Sequence, residues 1–391
     1  MRQASSASVA RFGILDGLYW AFSAAFFGFI PTYLLACGMP EGVLSLLLAA
    51  YMLTSFGGAF FWGRLCDRKE TNRRIFLPVF FSATLLSALA FLAAGRSLLL
   101  SSFLYLALGF LVSSLGTNLD AWMLRSFRHD SAMYGRARGT GSAGYAAAML
   151  VGGQLIRLFG YQMILWMTLT LAAAVFLLAL RTPEEPYSRL PGGGSGSLKE
   201  LFRIRPYLYM LLIVFFCGLA ISPVNNLKIV LLRAVGGDVG MLGIDQFLGV
   251  MTQALFIFLY GRLSGIRPYV RMLILSCLLL LTMLLTALAH SPLMVIAGTV
   301  LSNMAYGFQL PTQRQLTERY VPARMRNTAH SAVDAVYGSF SGILALCCSG
   351  FLISLFGAPS IALFGLAVML FPAALSAAGL VRESRQDTER R

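Results

Sequence analysis

Two ionisable side chains set inside apolar sequence carry the strongest chemical signal in this chain. Asp120 lies near the end of one apolar run and Arg138 near the start of the next, joined by a short charged turn from Arg125 to Asp130. Asp120 precedes Arg125 by five residues, about 7.5 Å along a helix at 1.5 Å per residue, and Arg138 lies at a similar depth on the returning segment. Opposite charges at matched depth on neighbouring helices neutralise each other, which is how ionised groups persist in an apolar layer. Ser142 and Tyr145 follow Arg138 at the fourth and seventh positions, so a guanidinium, a hydroxyl and an aromatic ring share one helix face. Asn118 sits two residues before Asp120. Such a set offers forked donors, acceptors and a ring to a small polar solute, and we take Asp120, Arg138, Ser142, Tyr145 and Asn118 as candidate substrate-binding residues. The plainer reading is a charge pair that only pins two helices together.

Further polar residues interrupt the apolar sequence of the second half. Lys228 lies about 30 Å along its segment and Asp334 only about 9 Å into another, so the two are not expected to pair. Lys228 is expected to snorkel outward or to meet an anionic solute, with Asn225 and Asn226 beside it as further candidates and Pro223 as a candidate break. Asp334 has no cationic neighbour on its own segment, which makes it, with Asp120, a candidate carrier of a coupling proton. Asp16 and Asp245 lie within a turn or two of segment ends, where helix-start or interface roles are expected.

The elements that position these residues are membrane helices. The 391 residues are 58% hydrophobic and 12% charged, with mean hydropathy +0.74, too little polar surface for a soluble domain of this length. Twelve apolar runs approach the length of a bilayer-spanning helix, at about 12–37, 42–62, 75–94, 98–124, 137–159, 161–180, 207–232, 241–261, 269–289, 292–313, 328–355 and 358–381. Twenty-seven of the 31 Lys and Arg fall at the termini and in the loops on one face. That asymmetry predicts a multi-pass protein of the cytoplasmic membrane with both termini cytoplasmic, and it removes nucleic acid as the reason for the net charge of +15. The lipid bilayer and a small-molecule substrate are the partners this implies, and a monomer is expected. The six cysteines show no metal-ligand or disulfide spacing, and no nucleophile constellation or nucleotide loop is present. Neither a metal, a cofactor nor an enzymatic activity is expected.

The chain also reads as a duplication. Residues 181–206 form a Pro- and Gly-rich linker between six helices in 1–180 and six in 207–391. Gly38 precedes Gly63-Arg64-Leu65 by 25 residues, as Gly236 precedes Gly261-Arg262-Leu263, and GQLIRLFG at 153–160 returns as GFLISLFG at 350–357. The two offsets are 198 and 197, which implies two pseudo-repeats.

The turn after the second run, GRLCDRKETNRRI at 63–75, resembles the signature loop of the major facilitator superfamily: Gly63, Asp67, Arg68 and Arg74 fit it, and the second copy lacks the acid. The resemblance implies an all-α fold of twelve transmembrane helices in two six-helix bundles, rocker-type alternating access, and a gating role for Gly63, Asp67, Arg68 and Arg74. Gly63 is read as permitting close helix approach, and Asp67 as facing the positive end of a neighbouring helix. Within that superfamily the 18-residue spacing of Asp120 and Arg138, and Tyr145 seven beyond, resembles the lactose-permease-like symporters. By that resemblance the acid and Arg bind sugar hydroxyls and the ring stacks on the sugar. The chain departs from that group in its second half, where Gln253, Ser302, Asn303, Tyr306 and Gln309 stand in place of titrating residues. The expected function is therefore secondary transport of a sugar or glycoside, with protons as the candidate coupling ion. Alternatives are uptake of an aromatic acid or nucleoside, drug efflux, and a non-transporting membrane assembly or regulatory role. Efflux is disfavoured by the missing Gly-Pro pair in 137–160.

Overall fold

The computed structural model describes residues 6–69, 71–127, 130–184, 198–263 and 265–389. Residues 185–197, most of the linker, and the side chain of Asp67 lie outside the described residues. The helices are α1 (Ser6–Phe27), α2 (Ile30–Ala36), α3 (Glu41–Lys69), α4 (Arg73–Ala94), α5 (Leu98–Val112), α6 (Leu115–Ser126), α7 (Ser131–Phe159) and α8 (Gln162–Arg181). After a single turn α9 (Leu198–Leu201) follow α10 (Arg205–Asn226), α11 (Lys228–Ala234), α12 (Val239–Leu263), α13 (Pro268–Ala287), α14 (Pro292–Tyr320), α15 (Arg326–Asp334), α16 (Ser341–Phe356) and α17 (Pro359–Glu389). No strand occurs among the described residues.

Among the described residues, eleven spans are long and apolar enough to cross a bilayer, with α1 and α2, α5 and α6, and α15 and α16 each joining into one. The twelfth is α7, 29 residues long, whose Arg136, Arg138, Arg157 and many glycines lower its hydropathy. The fold is the expected all-α membrane architecture of about twelve crossings.

Three crossings are broken, for local reasons. Pro31 opens α2 after the Gly28-Phe29 step. Ser113 and Ser114 separate α5 from α6, so the segment carrying Asp120 is a separate short helix. Leu227 separates α10 from α11, its own N–H still donating to the Pro223 carbonyl at 2.9 Å. A π-helical stretch, Ala335–Phe340, joins α15 to α16 directly after Asp334.

By contacts the chain forms two compact units, Met1–Ser188 with Asp238–Phe247, and Arg189–Gly237 with Leu248–Arg391. Within the first, α1 packs on α7 and α8, and α4 on α5 and α8; within the second, α10 packs on α16 and α17, and α13 on α14 and α17. The neighbours correspond element by element. The backbone agrees, because the four described glycines with positive φ are Gly38 (92°), Gly160 (85°), Gly236 (81°) and Gly357 (76°). They pair at separations of 198 and 197, each at the turn that ends a helix, where only glycine enters the left-handed region without strain.

Helices α1 and α7 pack closely. A Cβ on Gly144 would lie 2.8 Å from the carbonyl carbon of Gly17 and 2.9 Å from its Cα. Thr140 donates its hydroxyl to the Gly13 carbonyl across the same seam. Small residues here let two backbones approach, the arrangement that holds helices together where lipid removes the hydrophobic driving force. Gly63 differs from its expected role: among the described residues nothing lies within 4 Å of where its Cβ would be, so it mediates no close approach.

Gly144→Ala is therefore expected to destabilise the detergent-solubilised protein by about 1–3 kcal/mol through overpacking, while Gly63→Ala leaves thermal unfolding unchanged. Equal melting curves for the two variants would show that the α1–α7 seam is not tight.

Candidate functional site

The break at Ser113-Ser114 lets α6 bring Asp120 toward α7, and the glycine seam brings α1 against the same helix. Arg138 stands between them. Its Nε lies 3.3 Å from Asp120 Oδ1 and its Nη1 3.5 Å from Asp16 Oδ2. The guanidinium carbon also lies 4.8 Å from the centre of the Trp20 ring, within range of a cation–π contact. One guanidinium thus serves two carboxylates and one indole face. Asp16 is 1% exposed, whereas Arg138 is 31% and Asp120 28% exposed at the side chain. The cluster has a closed side at Asp16 and an open side at the Asp120–Arg138 pair.

Gly141 makes this packing possible. A Cβ there would lie 2.6 Å from Trp20 Cδ1 and 2.7 Å from Arg138 Nη1, and would overlap Asp16 Oδ2. Tyr134, one turn before Arg138, also faces Asp120. Farther along α7, Ser142 is exposed and Tyr145 half-buried.

Other expected residues lie elsewhere. Asn118 is buried and cross-bonded to Asn72, its Nδ2 donating to the Asn72 carbonyl at 3.3 Å while Asn72 Nδ2 donates to the Asn118 carbonyl at 2.9 Å. It joins α6 to the turn before α4. Lys228 does not snorkel: it is 2% exposed, and its Nζ donates to Thr299 Oγ1 at 2.7 Å. The helix break at Leu227 turns it inward, the circumstance in which a lysine held deep along its segment finds a polar partner. Asn226 bonds back to Ser222 at the end of its own helix, and Asn225 is exposed. Asp334 is not without a cation, because Arg314 Nη2 reaches its Oδ2 at 2.7 Å; both side chains are substantially exposed. The partner was hidden by the end set for the tenth run: α14 continues past 313 to Tyr320 and carries Arg314 and Glu318 as helical residues. Glu318 in turn pairs with Arg326 at 2.7 Å and faces His330 at 2.9 Å.

At the signature turn, Arg68 is exposed and Arg74 donates its backbone N–H to Thr71 Oγ1 at 3.3 Å. Among the described residues, Glu184, just beyond α8, caps the neighbouring helix here. It accepts from the backbone N–H of Asn72, from that of Arg73 at 3.1 Å and from the Thr71 hydroxyl at 2.8 Å. It satisfies donors that the first turn of α4 leaves unpaired and places a negative charge at the positive end of that helix. Trp122 fixes the same segment by donating to the Pro183 carbonyl at 3.1 Å.

Three features escaped the sequence. Asp16 had a readable signal, since it lies five residues beyond Arg11 as Asp120 lies five before Arg125, with Trp20 one turn on. Arg271 counts as a loop charge by position but is 0% exposed, bonded to the Tyr260 hydroxyl and Gln315 Oε1. Glu184 lies in a stretch that reads as flexible linker. No group of three or more His, Cys, Asp or Glu able to hold a metal occurs among the described residues.

A family model described as "MFS_1 like family" matches residues 14–364. The maltose permease of Geobacillus stearothermophilus is 27% identical over 301 residues, covering 75% of this chain and 74% of its own. Among solved structures, the nucleoside transporter NupG superposes with a TM-score of 0.80 at 15% identity, over 96% of this chain and 98% of its own. A bacterial homologue of the lysosomal transporter Spinster, in an inward-facing and unoccupied conformation, gives 0.72 at 14% identity, over 96% and 97%.

Removing the Glu184 carboxylate should loosen the signature turn. Glu184→Ala is expected to cost about 1–2 kcal/mol of stability, with Glu184→Gln losing less because an amide oxygen still accepts. Thermal unfolding in detergent measures both, and unchanged curves would mean the cap carries no weight.

Proposed function

Since the chain belongs to the MFS_1-like family, and is therefore a multi-pass secondary transporter of the major facilitator type, we propose that its substrate is a small neutral polar solute, a sugar or a glycoside. The observation that carries this reading is the open Asp120–Arg138 pair, 3.3 Å apart and about 30% exposed. A half-exposed carboxylate and guanidinium present acceptors and fixed donors side by side, which suits vicinal hydroxyls, and their mutual neutralisation suits a solute without net charge. Ser142 and the Tyr145 ring extend the same helix by about 10 Å, the scale of one or two sugar rings. The 27% identity to a maltose permease favours the same class. The protein acts, on this reading, as a monomer in the cytoplasmic membrane with both termini inside, by alternating access of two six-helix bundles.

Coupling follows from the charge count of the cluster. Two carboxylates share one guanidinium, so full ionisation leaves one negative charge without a partner in the apolar layer. Uptake of one proton neutralises it. We place the coupling proton on the Asp16–Arg138–Asp120 cluster, because Asp334, the other candidate, is already held by Arg314 and open to solvent. Symport results if solute binding at Asp120 and Arg138 favours the protonated cluster.

Proteoliposomes loaded against a proton gradient test this with radiolabelled maltose and other glycosides. Arg138→Lys is expected to weaken binding at least about tenfold, since an ammonium lacks the planar fork. Tyr145→Phe should be milder than Tyr145→Ala. Asp16→Asn should abolish accumulation while preserving exchange of labelled for unlabelled solute, and Asp334→Asn should still accumulate. Accumulation by Asp16→Asn that a protonophore collapses would contradict the coupling assignment. Absence of binding or flux for every glycoside would contradict the substrate class.

A further inference from the structure

Beside the α1–α7 seam lies an apolar groove separate from the Asp16–Arg138–Asp120 cluster. With a cavity volume of about 680 Å³, it runs along α1, α7 and α8, within the size range of sites that hold small molecules. Its floor exists because Gly17, Gly144 and Ala147 have little or no side chain. Its walls are Ile14 (58% exposed), Val151 (54%) and Trp166 (61%), side chains that in a transmembrane helix face lipid.

The charges at one end decide what fills it. Arg11 precedes the groove residues Ile14 and Leu18 by three and seven positions, and Arg136 precedes Thr140 and Gly144 by four and eight. Each arginine therefore continues a stripe that lines the groove. The two stripes are in register, for a Cβ on Gly13 would lie 3.7 Å from Ala137 Cα. On α8, which runs back in the opposite direction, Arg181 follows the groove residue Thr170 by eleven positions, three turns on the same stripe. All three arginines are exposed, and none takes an ion pair among the described residues. They stand on the face that carries the basic loops.

We propose that this groove binds an anionic phospholipid of the phosphatidylglycerol type, its acyl chain lying along α1, α7 and α8 and its phosphate meeting Arg11, Arg136 and Arg181. An apolar channel with a cationic mouth at the headgroup level complements one anionic head on an apolar tail, and the charge at that mouth selects against zwitterionic lipid. A second copy of the chain fits less well. Two-fold pairing through this face within one membrane would set the three arginines of each copy at the same depth, opposite those of the other.

Native mass spectrometry of the full chain, released from micelles doped with equal phosphatidylglycerol and phosphatidylethanolamine, reads this directly. Wild type is expected to retain phosphatidylglycerol in preference. The double variant Arg11→Gln, Arg136→Gln should lower that preference roughly tenfold or more. Ala147→Phe, which fills the floor from an exposed position, should lower retention of both lipids while leaving the arginines in place. Thermal unfolding with added phosphatidylglycerol should stabilise wild type and neither variant. Equal retention of the two lipids by wild type, or a charge variant that keeps the preference, would overturn the headgroup assignment. Full retention by Ala147→Phe would overturn the groove, and a lipid-free dimer disrupted by Ala147→Phe would assign the face to a second copy instead.

Discussion

The structure turns on one guanidinium held between two carboxylates inside an apolar layer. An ionised side chain taken out of water needs a partner at hydrogen-bonding distance, and Arg138 meets that need for Asp16 and Asp120 together. The three charges come from three helices, α1, α6 and α7, so each helix is constrained in depth and rotation by the others. The glycine seam follows from that constraint. Asp16 reaches Nη1 of Arg138 because Gly141 leaves space for both, and the backbones come close enough because Gly17 and Gly144 face each other. The same small residues that draw α1 and α7 together on the inside leave a groove on the outside.

The duplicated halves have diverged in how they use charge. The described turns at Gly38 and Gly236, and at Gly160 and Gly357, retain the shared backbone conformation. The polar groups do not. The first unit concentrates three charges within the membrane at Arg138. The second buries Arg271 against neutral oxygens of Tyr260 and Gln315 and places its ion pairs, Arg314–Asp334 and Glu318–Arg326, where side chains are about 40–50% exposed. Exposed pairs of that kind are weak and exchange partners easily, which suits contacts near a helix end better than a buried relay.

Much of the architecture was legible because its physics is one-dimensional. Span length and the 198-residue recurrence project directly onto sequence, and α7 reads as a crossing despite its arginines because a charged turn precedes it. The Asp120–Arg138 approach was legible for the same reason, since depth is residue count times helical rise. What could not be read was rotation and continuity. Asn118 is turned toward Asn72 before α4, Lys228 is turned inward by a break at Leu227, and α14 outruns its apolar stretch by two turns to carry Arg314 beside Asp334. Glu184 looked like linker because capping a helix remote in sequence leaves no local pattern. Asp16, expected at a helix start or an interface, stands at the α1–α7 interface, but its pairing with Arg138 on another helix leaves no local pattern.

The account stands or falls on whether Arg138 compensates both carboxylates at once, and a thermal-stability cycle in detergent at mildly alkaline pH measures that. Removing Arg138 strands two negative charges, whereas removing all three charges strands none. Arg138→Gln is therefore expected to lower the melting temperature more than Asp16→Asn or Asp120→Asn does. The triple variant Asp16→Asn, Asp120→Asn, Arg138→Gln should recover most of that loss. Losses that simply add across the three positions, with the triple variant the least stable of all, would show that the three charges do not act as one cluster.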